Sequence, residues 1–369
     1  MDRKNILYIG GFILPDKNAA ALRVIANAKA LRDLGYNIIF LNSIPNYSKP
    51  NAYKKYYGFE CYECKRSNLI KYLLNYKNVK KIIEKENIDI VIAYNYPAIA
   101  LNSLRKYCKK NNIICIADVT EWYVPTGNLV FCLAKGFDSE FRMRYVHKKL
   151  DGIIAISDYL YKYYYHSVNT VKIPPLIDLK DDKWNSNVRR NEGILKIVYA
   201  GQISAQKERI DLIIDLIEKT RLEIPIHLNI IGITEQQYND IYNKKYLGTR
   251  VSFLGRISNQ EVIDNVKNSD WSIIIRDNNK VVQAGFPTKI AESITCNTPV
   301  IANKFSNILD YLNETNSIII NDINDIDEDF LNKCLNLKND FDSTIFDYRN
   351  FLGLFNRFLK EMGDQKMLK

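Results

Sequence analysis

Gln283-Ala284-Gly285-Phe286-Pro287-Thr288-Lys289-Ile290-Ala291-Glu292-Ser293-Ile294-Thr295-Cys296-Asn297-Thr298-Pro299-Val300-Ile301-Ala302 sets a Gly turn, a helix start and a buried strand within twenty residues. Gly285 lets a ligand approach the backbone closely. Pro287 suits the first helical position, where its missing N–H would be unpaired in any case. The amides of Thr288 and Lys289 then point outward from a helix N-terminus, whose partial positive charge favours a diphosphate. Glu292 follows one turn later with two acceptor oxygens for paired sugar hydroxyls. Asn297 fits a left-handed helix cap, and residues 298–302 re-enter a sheet. An ordinary turn and helix of an α/β domain accounts for the same residues without a ligand.

Working outward, 369 residues exceed what one core usually serves and predict two domains. With 47% hydrophobic and 25% charged residues the composition is that of a globular protein. No apolar run approaches the roughly 20 residues that span a bilayer. The start Met-Asp-Arg-Lys-Asn leads into a strand and not a signal peptide. Seven scattered cysteines suit a reducing compartment, so a cytoplasmic protein is expected. Cys61-x-x-Cys64 lacks a second ligand pair and His147, His166 and His227 are dispersed, so no metal is expected.

The net charge of +10 is unevenly placed. Residues 1–178 carry 27 Lys/Arg against 15 Asp/Glu, hence +12, and the remainder carries 25 against 27, hence −2. The basic half points to an anionic membrane surface or a phosphorylated acceptor. Lys65 to Lys85 reads as an amphipathic helix with Leu69, Ile70, Leu73, Leu74, Val79, Ile82 and Ile83 on its apolar face. Such a face fits a solvated helix or a membrane-surface contact better than a nucleic-acid site.

Short β-branched runs alternate with helix-length segments, the pattern of parallel sheets flanked by helices. The expected strands are Asn5–Ile9, Asn37–Leu41, Asp89–Tyr94, Ile113–Ala117, Gly152–Ile156 and Thr170–Ile173. A second series follows at Leu195–Ala200, Ile226–Ile231, Val251–Leu254, Trp271–Ile275, Pro299–Ala302 and Ser317–Ile320. Leu179 to Gly193 has no apolar periodicity and reads as a linker. The fold class is therefore α/β, with two tandem doubly wound Rossmann-like domains over 1–178 and 194–340. Ligands on such sheets sit at the carboxyl ends of the strands, so the crevice between the domains is the expected site. Phe341 to Leu368 carries Phe346, Tyr348, Phe351, Leu354, Phe355 and Phe358 and reads as a terminal helix with an aromatic face.

Four further constellations bear on chemistry. Strand 196–200 runs into Gly201-Gln202-Ile203-Ser204-Ala205-Gln206-Lys207, placing Lys207 where it can reach a phosphate over the sheet edge. Arg256 and Arg276 end later strands, near a base or diphosphate or in structural ion pairs. Gly10-Gly11-Phe12-Ile13-Leu14-Pro15-Asp16-Lys17-Asn18-Ala19-Ala20-Ala21-Leu22-Arg23 forms a strand end, a Gly pair and a capped helix but lacks G-x-G-x-x-G, which weakens an oxidoreductase reading. Asp118-Val119-Thr120-Glu121-Trp122-Tyr123 brings acids and aromatics to a strand end, suited to sugar stacking on Trp122 with hydrogen bonds to Asp118 or Glu121, or to capping and packing alone. The apolar and basic segment Asn128 to Lys149 suits either a lipid-linked acceptor or an interior helix. Asp325 to Asp329 opens a helix after the last strand and complements its dipole.

The 283–302 segment resembles the C-terminal signature of family 4 (group 1) retaining glycosyltransferases of the GT-B fold. There an acidic residue, Gly-Phe-Gly, a short helix and a second Glu bind a nucleotide sugar. Glu292 matches the second Glu, while Ala284 stands in place of the first acid. Gly201 to Lys207 is similar to the family's Gly-Arg…Lys loop, with Gln202 in place of Arg. The 10–23 loop is similar to the Gly loop of bacterial surface-polysaccharide enzymes, and the terminal helix 341–369 is expected on the first domain.

The resemblance implies Lys207 and Arg276 as catalytic residues. The donor is then expected on Gly11, Gly201, Gln202, Arg256, Gly285, Phe286, Pro287, Thr288, Lys289 and Glu292, and the acceptor on Arg23 and on Asp118, Glu121 and Trp122 of the strand-end loop. The implied partners are a nucleoside-diphosphate sugar and a polysaccharide or lipid-linked acceptor, with no cofactor and no metal. A non-catalytic GT-B-like partner subunit, or a nucleotide-sugar epimerase, is the alternative.

Overall fold

A computed structural model of the protein describes residues 4–15, 18–44, 52–65, 77–125, 128–185, 193–201, 208–219, 225–321, 333–334 and 341–367. The chain divides into two compact units, Met1–Leu176 with Tyr348–Lys369, and Ile177–Asp347. Each is a parallel sheet covered by helices.

The first unit contains β1 (Asn5–Gly10), β2 (Asn37–Ile44), β3 (Ala52–Tyr56), β4 (Phe59–Lys65), β5 (Ile90–Tyr94), β6 (Ile114–Val119), β7 (Gly152–Ala155) and β8 (Asn169–Lys172). They form one sheet in the order β3-β4-β2-β1-β5-β6-β7-β8. Every pairing is parallel except β3 with β4, a hairpin turned by Tyr57 and Gly58 at φ of 51° and 81°. Ile6, Leu7, Tyr8 and Ile9 of β1 are all fully buried, as a strand covered on both faces requires. The helix Ala19–Asp33 starts where Asn18 Oδ1 accepts the Ala21 amide at 2.9 Å. Helix Leu352–Met367 buries Phe355, Phe358, Leu359 and Met362 in the same core as β1, β5 and β6. Gly152 leaves the space this helix needs, since a Cβ there would meet Phe358 Cζ at 2.7 Å.

Polar groups inside this unit overturn part of the sequence assignment. Arg23 and Asp118 are 3% and 0% exposed. Arg23 Nη2 lies 2.7 Å from Asp118 Oδ1 and Nη1 donates to the carbonyls of Ile173 and Pro174. Tyr8 donates to Asp118 Oδ2 at 2.5 Å, and Asn27 Nδ2 reaches the same oxygen at 3.3 Å. This network ties β1, the helix 19–33, β6 and the chain after β8 together, so neither Arg23 nor Asp118 presents an acceptor contact. Trp122 is likewise buried, donating Nε1 to Glu140 at 2.7 Å with its ring edge-on to Tyr163. Its faces are packed, which removes it as a sugar platform. Glu121, half-buried, is the one member of the expected acceptor set with a side chain near solvent.

The second unit holds β9 (Leu195–Ala200), β10 (Ile226–Ile231), β11 (Val251–Gly255), β12 (Trp271–Ile274), β13 (Val300–Asn303) and β14 (Ser317–Ile320). Their order is β11-β10-β9-β12-β13-β14, all parallel. Its core gathers Ile197, Tyr199, Ile213, Leu228, Ile230, Trp271 and Ile273. Residues 179–185 belong to this unit and are not a free linker. Trp184 is buried, donating Nε1 to the Asp178 carbonyl, and the Trp184 carbonyl accepts from Lys267 Nζ.

Asp118→Leu should cost about 3–5 kcal/mol of stability, because it leaves the Arg23 charge buried and unpaired. Urea unfolding measures this, and a variant as stable as the parent would show that the Arg23 network carries no structural weight.

Candidate functional site

In the second sheet the chain reverses its direction of strand addition between β9 and β12, with β10 on one side of β9 and β12 on the other. In open α/β sheets the crevice outside the carboxyl ends at such a switch is where ligands bind. The residues delivered there are Gly201, directly after β9, and Arg276, two residues after β12. The loop after β12 continues through the helix Lys280–Ala284 to the helix Thr288–Thr295, whose N-terminus starts on the same side.

Three charged groups converge at this edge. Arg276 Nη2 lies 2.7 Å from Glu208 Oε1, and Lys289 Nζ lies 3.5 Å from the same oxygen. Lys289 also donates to Tyr199 Oη at 2.5 Å and sits 3.9 Å from that ring's centroid. The side chains of Arg276 and Lys289 retain 12% and 13% exposure, against 2% for Glu208. The acid is therefore almost sealed, while each cation keeps a small exposed part. Asn303 fixes the Arg276 backbone, accepting from its amide at 2.9 Å and donating to its carbonyl at 2.7 Å. Arg276 Nε is buried with no hydrogen-bond partner among the described residues.

Gly201 explains how Lys289 reaches this place, because a Cβ on residue 201 would overlap Lys289 Cε. Burial pushes the Lys289 ammonium down to about 8, against the opposing pull of Glu208. Burial also raises the phenol of Tyr199, with Glu208 adding to the effect. Two cations meeting on one carboxylate are an arrangement suited to an anion with several oxygens.

The helix Thr288–Thr295 adds backbone donors to this edge. Pro287 is its N-cap, with φ −76° and ψ 123°, one residue earlier than the sequence position assigned to it. Thr288 and Lys289 thus supply the first amides, which a helix leaves without internal acceptors. At the other end Asn297 has φ 56° and Thr298 donates to the Ser293 carbonyl at 2.9 Å, a Schellman closure. The turn before the helix is pinned by Ser306, whose Oγ donates to the Gly285 carbonyl at 2.7 Å and whose amide donates to Gln283 Oε1 at 2.9 Å. Glu292 is half-buried and its carboxylate accepts no hydrogen bond among the described residues. Burial raises its pKa while Lys183 and Lys289 lower it.

Of the sequence candidates, Gly201, Arg276, Thr288, Lys289 and Glu292 are thus placed at or beside one edge of one sheet. Gln202 and Lys207 lie outside the described residues, as do residues 325–329. Arg256 follows β11 at the outer end of the sheet and is exposed, outside the Glu208 cluster. Phe286 is 6% exposed and packs on Tyr311 and Phe346, so its ring serves the core of the unit and offers no ligand surface. Gly11 is exposed after β1 in the first unit. Sequence reasoning missed Glu208 and Tyr199. A Tyr one residue before a strand's end and an acid just after the Gly201 loop were the available signals. Among the described residues no group of three or more His, Cys, Asp or Glu is placed to hold a metal ion.

Comparison with known proteins bears on the fold. Residues 180–340 match the family model of glycosyl transferases group 1. No curated protein matches the sequence. Among solved structures, the chain is similar to a sucrose-phosphate synthase from Thermosynechococcus elongatus, at 15% identity and a TM-score of 0.70, covering 98% of this chain and 100% of that one. It is similar to a glycosyltransferase from Rickettsia africae at 14% identity and a TM-score of 0.67, covering 98% and 99%. It is also similar to the HepE protein of Anabaena, solved with UDP and glucose, at 14% identity and a TM-score of 0.63, covering 97% and 100%. Two Rossmann-like units in the GT-B fold, the second of them matching glycosyl transferases group 1, support a GT-B glycosyltransferase.

Proposed function

We propose that the protein is a family 4 retaining glycosyltransferase that moves a hexose-type unit from a nucleoside-diphosphate sugar to a hydroxyl of a polysaccharide or its lipid-linked precursor. The observation that carries this reading is the pair of cations, Arg276 and Lys289, held together on Glu208 at the switch point of the second sheet and beside a helix N-terminus. That set of donors matches a diphosphate in charge and in oxygen count. The UDP and glucose on the Anabaena protein favour a nucleotide sugar over a simple phosphate. In the reaction the bond between the anomeric carbon and the diphosphate oxygen breaks, and a new bond forms from the acceptor oxygen to the same face of that carbon. Charge grows on the leaving diphosphate, where Arg276, Lys289, the Thr288 and Lys289 amides and Lys207 stabilise it. The acceptor proton passes to the leaving phosphate oxygen, so no side-chain base is assigned. Glu292, whose carboxylate has no hydrogen-bond partner among the described residues, accepts from hydroxyls of the nucleotide sugar.

One observation favours a second reading, a subunit that binds a nucleotide sugar without transferring it. Position 284, which the family gives to an acid, holds an Ala with no exposed surface. Slow hydrolysis of the donor by the purified protein would exclude that reading.

Lys289→Ala removes a charge-assisted contact worth roughly 1.5–3 kcal/mol, so affinity for a nucleoside diphosphate should fall about ten- to hundredfold in calorimetry. Glu292→Ala should weaken a nucleoside-diphosphate sugar by a similar factor yet leave inorganic pyrophosphate unaffected. Equal losses for both ligands would place Glu292 away from the hydroxyls.

The lowered Lys289 pKa sets a pH dependence. Below about 8 the side chain carries its charge in the free protein, and above it the charge is lost. Diphosphate affinity should therefore drop as pH rises through that value, and Lys289→Arg, which stays protonated, should flatten the profile. A parent profile without any decline between pH 7 and 9.5 would remove Lys289 from the phosphate site.

A further inference from the structure

The helix Leu129–Phe141 of the first unit continues through the π-turn Arg142–Val146 to Lys149. Its inner face is well packed, with Ser139, Met143, Val146 and His147 buried. On the opposite side Leu133, Phe137, Phe141 and Tyr145 recur every four residues and form a stripe about 18 Å long. Leu133 and Phe137 are 65% and 63% exposed, and Tyr145 is 45% exposed. The rings stack in sequence, Phe137 on Phe141 at 5.7 Å and Phe141 on Tyr145 at 5.2 Å, with interplanar angles of 10° and 14°. A run of large apolar side chains this exposed is uncommon on a soluble surface and marks a contact site.

The charges around the stripe identify what it contacts. Both carboxylates of the helix are engaged by the protein itself. Asp138 accepts the Ala98 amide at 2.8 Å and pairs with Arg142 at 3.6 Å. Glu140 accepts from Trp122 and pairs with Arg144. The cations remain at the rim. Lys149 Nζ lies 3.8 Å from the Tyr145 ring centroid. The helix Ala98–Lys110, which carries Arg105 and Lys106, packs against Leu129–Phe141 and Arg142–Val146, and the Tyr145 phenol is held below its ordinary value, first by a hydrogen bond from Lys149 and also by the charges of Arg105 and Lys106. Ile99, 42% exposed, stands two turns before Lys106 on the same face of its helix. The half of the sequence that contains the stripe, residues 1–178, carries 27 Lys/Arg against 15 Asp/Glu.

We propose that this stripe and its basic rim dock on an anionic lipid bilayer, with Leu133, Phe137 and Tyr145 entering the boundary between headgroups and acyl chains and Arg105, Lys106 and Lys149 meeting lipid phosphates. An amphipathic surface helix with aromatics on one face and Lys or Arg at its flanks lies in the plane of such an interface, and Tyr is favoured at that depth. Among the described residues no helix is long and apolar enough to cross a membrane, so the contact is peripheral. A single-stranded nucleic acid fits less well, since base stacking needs free ring faces and Phe141 has both faces covered by its neighbours. The inference does not depend on the transferase reading, because it rests on the first unit alone and its test needs no donor.

The test is flotation of the full chain with vesicles of phosphatidylcholine alone and of phosphatidylcholine with an equal share of phosphatidylglycerol. Binding to the anionic vesicles at low salt, at least about tenfold stronger than to neutral ones, is the expected result, given roughly one factor of five per basic residue at the surface. Leu133→Ser with Phe137→Ser should abolish it, and Lys106→Glu with Lys149→Glu should reduce it more than tenfold. A second measurement guards against misfolding of those variants. All three tryptophans, Trp122, Trp184 and Trp271, are buried. Phe137→Trp therefore adds a solvent-facing indole, whose emission should shift to the blue with anionic vesicles and be quenched by brominated lipid chains. Absence of both flotation and the emission shift overturns the proposal. So does a dimer that the Leu133→Ser/Phe137→Ser variant dissociates in protein that ignores vesicles, since the stripe would then serve a second copy of the chain.

Discussion

Every strand of the second sheet runs the same way, so every loop that follows a strand emerges at one edge. The strand order reverses between β9 and β12, and in open α/β sheets such a reversal sends the following loops to opposite faces and leaves a crevice outside the carboxyl ends. Gly201, Arg276 and the start of the helix Thr288–Thr295 are neighbours for that reason, although 87 residues of sequence separate Gly201 from Thr288. The chemistry of the edge then depends on one small feature. Residue 201 must lack a Cβ, since Lys289 occupies the volume it would fill.

The two units use the same pair of groups to different ends. Arg23 with Asp118 and Arg276 with Glu208 are both Arg–carboxylate pairs with 2.7 Å contacts. In the first unit both partners are sealed and the leftover Arg donors go to backbone carbonyls, which makes the pair a brace between strands. In the second only the acid is sealed. The Arg keeps an exposed edge, and a Lys joins it. Burial of a charged pair costs desolvation that the mutual attraction barely offsets, so a pair left half-open at a strand end points to a ligand more strongly than a fully closed one does.

The alternation of β-branched runs with helix-length segments sufficed for twelve of the fourteen strands among the described residues and for the parallel pairing of both sheets. The β3–β4 hairpin escaped because its turn is Tyr57-Gly58, and Tyr is an unusual occupant of a left-handed position. The helix beside the switch point was legible where backbone rules operate, as at its start at Thr288 and its left-handed end at Asn297. It was illegible where burial decides. Arg23 and Asp118 look like ligands in sequence because a polar residue on a helix or at a strand end carries no mark of what covers it. Trp122 misled in the same way, and the length of chain between it and Tyr163 gives no hint that their rings meet. Lys289 entered the reading through its amide alone, whereas its side chain folds back under Gly201 toward Tyr199 and Glu208.

That folded-back lysine bears on how a diphosphate would meet the site. In place of the Arg that the resemblance leads one to expect at position 202, Lys289 brings a cation to the end of β9 from a different element. Glu208 makes the substitution tolerable. Without an acid between them, Arg276 and Lys289 would repel each other across a partly dry edge, and the lysine would shed its proton before any ligand arrived. With Glu208 between them, the cations stay together and already desolvated. A diphosphate then replaces little water around them and meets donors that need no rearrangement, the condition under which fixed charges stabilise a developing anion best.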